Sequence, residues 1–174
     1  MGDVFIEQLI KKRLTSMDLV KQGLIILAGI IIIMLLIPFF LTQFMPFALV
    51  VVVGLVYLAY YLISGLQLEY EYIYTNGEID VDKIIAKRKR KRITTIRISS
   101  FDEFAPFNLE EYRNQKYDIT VKAATALQDP KNYYGVYRNR DGKRCCIILT
   151  PNEKLLDELQ QQYKRKMAFG RTER

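Results

Sequence analysis

Residues 68–85 read LEYEYIYTNGEIDVDKII, and this stretch predicts a β-hairpin. In its first half a tyrosine stands at every second position, and in its second half aliphatic residues alternate with aspartates. Alternation with a period of two is typical of strands with one buried face. Asn76-Gly77 between the halves strongly favours a two-residue turn. With such a turn Thr75 pairs with Glu78, which places the tyrosines and the aliphatic residues on one face.

The opposite face of this predicted hairpin is acidic, and it carries Glu69, Glu71, Asp80 and Asp82. The register places Glu71 opposite Asp82, and like charges on opposed residues are unfavourable. The next segment, KRKRKR at 87–92, leads into a predicted strand at 93–98, so we expect some of its cations to cover the acidic face. Carboxylates in such a group can also bind a divalent cation. The adjacent cations make a metal unnecessary, and no metal site is predicted.

Two apolar runs precede the hairpin. Residues 24–40 read LIILAGIIIIMLLIPFF and residues 47–66 read FALVVVVGLVYLAYYLISGL, and no charged residue occurs from Gln22 to Leu68. A helix of roughly 20 residues, at about 1.5 Å per residue, spans the hydrocarbon core of a bilayer. The sequence therefore predicts two transmembrane helices, at about 24–42 and 47–66, joined by a short link as an antiparallel hairpin.

The basic residues near these spans predict the orientation. They lie before the first span, at Lys11–Arg13 and Lys21, and after the second, at Lys83 and 87–92, whereas the connecting loop has none. Lysine and arginine are enriched in cytoplasmic segments. We therefore expect a multi-pass protein of the plasma membrane with its N- and C-termini in the cytoplasm.

The predicted organisation has four parts. Residues 1–21 form a cytoplasmic N-terminal segment, 22–67 the membrane hairpin, 68–167 a cytoplasmic domain and 168–174 a basic tail. Within the first part, apolar residues at 4–20 recur at helical spacing, which predicts an amphipathic helix on the inner leaflet. The alternative is a plain juxtamembrane extension.

The cytoplasmic domain is predicted to be mostly β. Further strands are expected at 117–127, 133–138 and 144–149, with Asp141-Gly142 as the turn between the last two. Residues 108–112 are expected to form a short helix or an ordered loop.

After the last predicted strand the period changes to that of a helix. Thr150, Pro151 and Glu153 have the spacing of a capping box, with Thr150 as the N-cap. The apolar residues that follow lie on one stripe, so we expect this helix to pack on the sheet. They are Leu155, Leu156, Leu159, Tyr163 and Met167.

Strands followed by one amphipathic helix have the order of a pleckstrin-homology (PH)-like barrel. Two spans, then LEYEYIYTNGEIDVDKIIAKRKRKR, then DGKRCCIILTPNEKLLDEL resemble an uncharacterised family of bacterial membrane proteins with a PH-like domain, typical of low-GC Gram-positive species. The resemblance covers nearly the whole chain. It implies a membrane α-helical hairpin plus an α+β soluble domain, which is a PH-like antiparallel β barrel or strongly curved sheet capped by a C-terminal helix. It supplies no catalytic residues.

Composition restricts the function. The net charge is +7, and the chain lacks histidine and tryptophan. Beside two membrane spans, the basic balance favours an anionic membrane surface over nucleic acid. Catalysis is not expected, because histidine is the commonest general base and the sequence has no glycine-rich phosphate loop. The adjacent Cys145 and Cys146 are expected to be reduced, small apolar residues. No cofactor is predicted.

The leading hypothesis is a membrane-anchored, non-enzymatic interaction or scaffold module with an unidentified protein partner. A second is a domain that binds anionic lipid headgroups, and a third is an accessory subunit of a membrane complex or transporter. The candidate contacts for a lipid or a partner are the six residues of the basic run, which are Lys87, Arg88, Lys89, Arg90, Lys91 and Arg92. The competing explanation for them is structural, because they also set topology and balance the acidic face.

Overall fold

The computed structural model describes residues 4–43 and 45–172. These residues form two compact units. One unit, the helical unit, contains residues 14–68 together with 85–87. The other, the β unit, contains the described residues before 14 together with 69–84 and those from 88 onward.

Two apolar helices dominate the helical unit. Helix α1 covers Ser16–Gln43 and α2 covers Met45–Ser64, and both are long and apolar enough to span a membrane. Their apolar side chains are not covered by the rest of the chain, as Met34 is 71% and Leu49 73% exposed. Such exposure differs from that of the core helices of a soluble protein, which are mostly buried.

Helix α1 begins eight residues before the predicted start of the first span, since that start was 24 and the helix starts at Ser16. The backbone N–H of Thr15 donates to the Asp18 carboxylate over 3.1 Å, and the Asp18 N–H donates to the Thr15 carbonyl over 2.8 Å. These bonds satisfy polar groups at the helix start. The start is therefore determined by local capping, whereas the prediction followed hydropathy alone.

The first sheet has the strand order β1-β2-β3-β4. Its strands are β1 Phe5–Lys11, β2 Leu68–Thr75, β3 Glu78–Ile85 and β4 Lys89–Arg97. Asn76 and Gly77 between β2 and β3 both have positive φ, 46° and 92°, as a type I′ turn requires. The predicted hairpin is thereby confirmed, and its tyrosine face is buried, with Tyr72 and Tyr74 fully inaccessible.

The predicted amphipathic helix at 4–20 is wrong. Residues 5–11 form β1, which pairs antiparallel with β2 from Phe5 opposite Thr75 to Lys11 opposite Glu69. The buried residues are Ile6 and Ile10. Residues four positions apart share a face in both a helix and a strand, so their spacing does not distinguish the two. The edge of β2 offers backbone hydrogen-bonding partners to this segment, and pairing with them favours a strand over a helix.

The second sheet has the order β5-β7-β8-β6. Its strands are β5 Phe101–Pro106, β6 Ile119–Ala123, β7 Tyr133–Arg138 and β8 Arg144–Leu149. A 3₁₀ turn at Ile98–Ser100 leads into β5, and the short helix α3, Leu109–Asn114, lies between β5 and β6. The bounds of β7 and β8 are those predicted from the sequence.

The expected antiparallel barrel is only partly correct. Strand β6 pairs parallel to β8, with Ile119 opposite Cys145 and Ala123 opposite Leu149. Within the described residues the two four-stranded sheets are separate, so they do not form one closed barrel. An alternating pattern identifies a strand and its buried face, but it does not identify the neighbouring strand or its direction.

Helix α4 covers Glu153–Thr172, later than predicted, and the capping box at Thr150 is wrong. The cap is Asn152, whose side-chain oxygen accepts from the N–H of Leu155 over 2.8 Å. The Thr150 hydroxyl instead donates to the buried Asn132 over 2.7 Å. The Thr150 side chain is thus engaged by Asn132, which is distant in sequence, and Asn152, the next polar residue, caps the helix instead.

Both sheets and α4 enclose one main hydrophobic core. Ile6 and Ile10 of β1 belong to it, as do Leu155 and Leu159 of α4. The N-terminal strand is therefore part of the domain core, although both apolar helices lie between it and the rest of the domain along the chain.

This connectivity predicts the behaviour of fragments. A fragment of residues 67–174 lacks β1, so it loses the burial of two isoleucines, worth about 1.5–3 kcal/mol each. It also leaves the edge of β2 open. We expect it to aggregate or to unfold at much lower denaturant concentration than a fusion that joins residues 4–12 to 67–172 through a short glycine-rich turn. Equal denaturation midpoints, measured by circular dichroism, would show that β1 contributes little.

Candidate functional site

The basic run begins in the turn that joins β3 to β4. Ala86 and Lys87 in this turn have positive φ, 53° and 56°, although neither is glycine. The Ala86 N–H donates to the Gln67 carbonyl over 2.9 Å. Gln67 lies just beyond α2, so this bond fixes the turn beside the point where the chain leaves the second apolar helix. Positive φ costs free energy in residues with a Cβ, and the hydrogen bond from Ala86 to Gln67 helps to hold the turn in this conformation.

The acidic face of the first sheet is buried. Glu69, Glu71 and Asp82 are 7%, 4% and 3% exposed, respectively. Burial of a carboxylate is unfavourable unless a cation or hydrogen-bond donors compensate its charge. The acidic face therefore requires the cations of the basic run more strongly than a solvated face would.

Two arginines of β4 supply that compensation, as the sequence predicted. Arg90 Nη2 lies 2.5 Å from Glu71 Oε2. Arg92 contacts two carboxylates, since its Nε donates to Asp82 over 2.9 Å and its Nη1 lies 2.8 Å from Asp80. A planar guanidinium with several donors is suited to bridge two acids in this way. Arg92 is thus the central cation of the acidic face.

The compensation is incomplete at Glu71. Its Oε2 atom is in ion-pair contact with Arg90 but has no hydrogen-bond donor within the described residues. Burial raises the pKa of Glu71, and so do the neighbouring Glu7 and Asp82, while Arg90 lowers it. The hydrogen bond to Asp82 raises the pKa of Arg92. The net environment of Glu71 therefore disfavours its charged form despite the nearby arginine.

The lysines of the run differ from these arginines. Lys87, Lys89 and Lys91 are exposed, and no ion pair to them is recorded within the described residues. Successive side chains of a strand point to opposite faces, and the run alternates lysine with arginine. The strand therefore separates Arg90 and Arg92, which cover the acidic face, from lysines whose ammonium groups remain available to an external anion.

This division predicts different effects for two adjacent, equally charged residues. R92Q leaves buried Asp82 and half-buried Asp80 without their cation, so it should lower the free energy of unfolding by about 1–3 kcal/mol. K91Q removes the same charge from an exposed side chain and should change it by less than about 0.5 kcal/mol. Denaturant unfolding of the full chain in detergent measures both. Equal effects would mean that only the total charge of the run matters.

Outside the basic run, the two adjacent cysteines lie in β8 and the acidic residue Glu103 lies in β5. Cys145 and Cys146 are both buried and free, and burial raises the pKa of Cys146 to about 12. Glu103 accepts a hydrogen bond from the hydroxyl of Tyr134. No group of histidine, cysteine and acidic side chains with the arrangement of a metal site occurs among the described residues.

One cleft was missed by the sequence analysis. It lies where β4 and the 3₁₀ turn meet the end of β7, encloses about 630 Å³, and is lined by Arg97, Arg138 and Arg140 together with the carboxylate of Glu78. Arg97 ends β4 and Arg138 ends β7, two strands of different sheets, and Arg140 lies in the turn after β7. Only the pair Arg138 and Arg140, just before the Asp141-Gly142 turn, gave a local signal, and it was not enough to identify a site.

Two sheets, one of them mixed, and a C-terminal helix define an α+β domain of the PH-like class, here combined with a pair of apolar helices. Residues 2–169 match the model of the family described as bacterial PH-like domain (DUF6106), so the chain belongs to this family of unknown function. The predicted membership of a bacterial PH-like family is thereby confirmed. Searches of curated proteins and of solved structures find no match to the chain.

Proposed function

We propose that the protein is a membrane-anchored, non-enzymatic interaction module that presents its PH-like domain at the inner face of the plasma membrane. The observation that carries the proposal is the insertion of both apolar helices between β1 and β2, two strands paired along their length. The chain leaves the sheet after Lys11 and returns at Leu68, next to the Lys11–Glu69 pair. The domain thus has two covalent connections to its anchor, and they start from neighbouring strands.

The connections are short. Residues 12–15 join β1 to α1, and residues 65–67 join α2 to β2. A fully extended residue spans at most about 3.6 Å, so neither connection allows the domain to diffuse far from the bilayer. Such a double tether suits a module that meets its partner at the membrane surface.

An interaction module is favoured over an enzyme by the available side chains. The sequence has no histidine, and both thiols are buried, with the pKa of Cys146 raised to about 12. A thiol needs a lowered pKa to act as a nucleophile at neutral pH. These features support a binding role for the domain.

Labelling of single cysteines tests the proposed topology. Thr42 lies near the link between the helices and Ser99 in the β unit, and both are exposed. In intact cells a membrane-impermeant maleimide should label T42C and not S99C, and permeabilisation should expose S99C. The wild-type chain, whose own thiols are buried, is the unlabelled control.

Two outcomes would contradict the topology. Labelling of S99C in intact cells would place the domain outside the membrane. Failure of T42C to react in intact cells, with labelling only after permeabilisation, would mean that the link does not reach the outer surface and that the helices do not cross as a hairpin.

The second candidate function is a contact with anionic lipid headgroups through the basic run. The observation in its favour is that Lys87, Lys89 and Lys91 are exposed and have no ion-pair partner in the part of the chain that the structure describes, together with the bond that holds the turn of Lys87 beside Gln67. A lysine close to an anionic membrane surface contributes about 1 kcal/mol. Phosphatidylglycerol and cardiolipin are lipids of the required charge.

Lysine acetylation in nanodiscs tests this contact with controls in the same molecule. In phosphatidylglycerol discs at low salt, the acetylation rates of Lys87, Lys89 and Lys91 should fall at least threefold relative to phosphatidylcholine discs. The rates of the exposed Lys131 and Lys154 should not change. Mass spectrometry measures each site, and high salt should remove the protection. Equal rates in both lipids would leave the run as a topological and charge-balancing element.

A further inference from the structure

The cleft between β4 and β7 is a second cationic site, independent of the basic run. Arg97 lies at the end of β4, whereas the basic run lies at its start. Glu78, which also lines the cleft, is the first residue of β3, and the turn that carries Lys87 follows the last residue of the same strand, Ile85. The two sites therefore occupy opposite ends of the same pair of strands.

The arginines of this cleft have little intramolecular compensation. Arg97 donates from Nε to Glu78 over 2.6 Å, yet its side chain is 75% exposed. Arg138 lies 3.9 Å from Asp102, a distance too long for a hydrogen bond, and is 67% exposed. Arg140 has no acidic partner within the described residues. Three guanidinium groups and one carboxylate leave the lining with a net charge of +2.

This contrasts with the arginines of the acidic face. Arg92 contacts two carboxylates at hydrogen-bond distance, so its charge is compensated within the fold. Among the residues that the structure describes, Arg138 and Arg140 have no carboxylate at hydrogen-bond distance. Placing like charges around one concavity is unfavourable in the absence of an anion, because their repulsion is uncompensated. A structural role therefore explains Arg92 but does not explain the group in the cleft.

We propose that this cleft binds a phosphate-bearing anion through Arg97, Arg138 and Arg140. Guanidinium groups match phosphate oxygens with parallel N–H donors, and a phosphate monoester or diphosphate has the charge to balance the lining. The cleft is open to solvent, and its volume of about 630 Å³ leaves room for a group larger than a bare phosphate ion. Thr94 and Ser100 also line the cleft. The ligand is therefore a phosphorylated small molecule or the phosphate of a lipid headgroup.

Calorimetric titration with inorganic pyrophosphate tests the site in the full chain, reconstituted in phosphatidylcholine nanodiscs. The wild-type protein should bind saturably, and R138Q/R140Q should weaken binding at least tenfold. The matched control K131Q/K154Q removes the same charge from two exposed lysines that do not line the cleft, and it should bind as the wild type does. R138K/R140K keeps the charge but loses the planar donors, and should be intermediate. Thermal unfolding verifies that each variant is folded.

Phosphatidic acid in the discs distinguishes the two sources of phosphate, with phosphatidylglycerol as the control for surface charge. If a lipid phosphate occupies the cleft, phosphatidic acid should weaken pyrophosphate binding by the wild type more than phosphatidylglycerol does. Equal affinities in both discs assign the site to a soluble ligand. The proposal is overturned if pyrophosphate does not bind saturably, if folded R138Q/R140Q binds as tightly as the wild type, or if K131Q/K154Q loses as much affinity.

Discussion

The pairing of β1 with β2 is the constraint on which the rest of the structure depends. These strands are adjacent in the sheet but separated in sequence by both apolar helices. Paired strands lie about 4.8 Å apart, and packed helices about 8–10 Å apart. An antiparallel helix pair returns the chain close to its point of departure, and the short segments 12–15 and 65–67 bridge the difference. The hairpin and the sheet are thus geometrically compatible, because each requires the two connections to be neighbours.

The second determinant is electrostatic. An acidic sheet face is buried under arginines from the adjacent strand, so this part of the domain is held by paired charges in addition to apolar packing. A run of six cations then has two roles that alternate along the strand. Arg90 and Arg92 form ion pairs within the fold, whereas the lysines of the run are exposed to solvent. A count of charges in the sequence does not reveal this separation, whereas the partner of each side chain does.

Sequence reasoning succeeded where a local pattern determines the structure. Asn76-Gly77 predicted a turn, alternating tyrosines predicted a buried face, and the acidic face predicted that some cations of the basic run cover it, as Arg90 and Arg92 do. It failed where distant residues decide. Ile6 and Ile10 fit a helix and a strand equally well until β2 is known to lie beside them, and Thr150 has the type of a helix cap but bonds to Asn132. The arginine cleft was missed for the same reason, since it joins two sheets.

The insertion of the helices within the first sheet also orders the events of biosynthesis. Strand β1 leaves the ribosome before either apolar helix, but its partner β2 follows only after both. The first strand must therefore remain without its native neighbour until both apolar helices have been synthesised. In the membrane-anchored form that we propose, a helix pair that failed to return the chain to the same side would leave β1 and β2 on opposite sides of the membrane, and the sheet could not form. Completion of the domain would then depend on correct insertion of the helices.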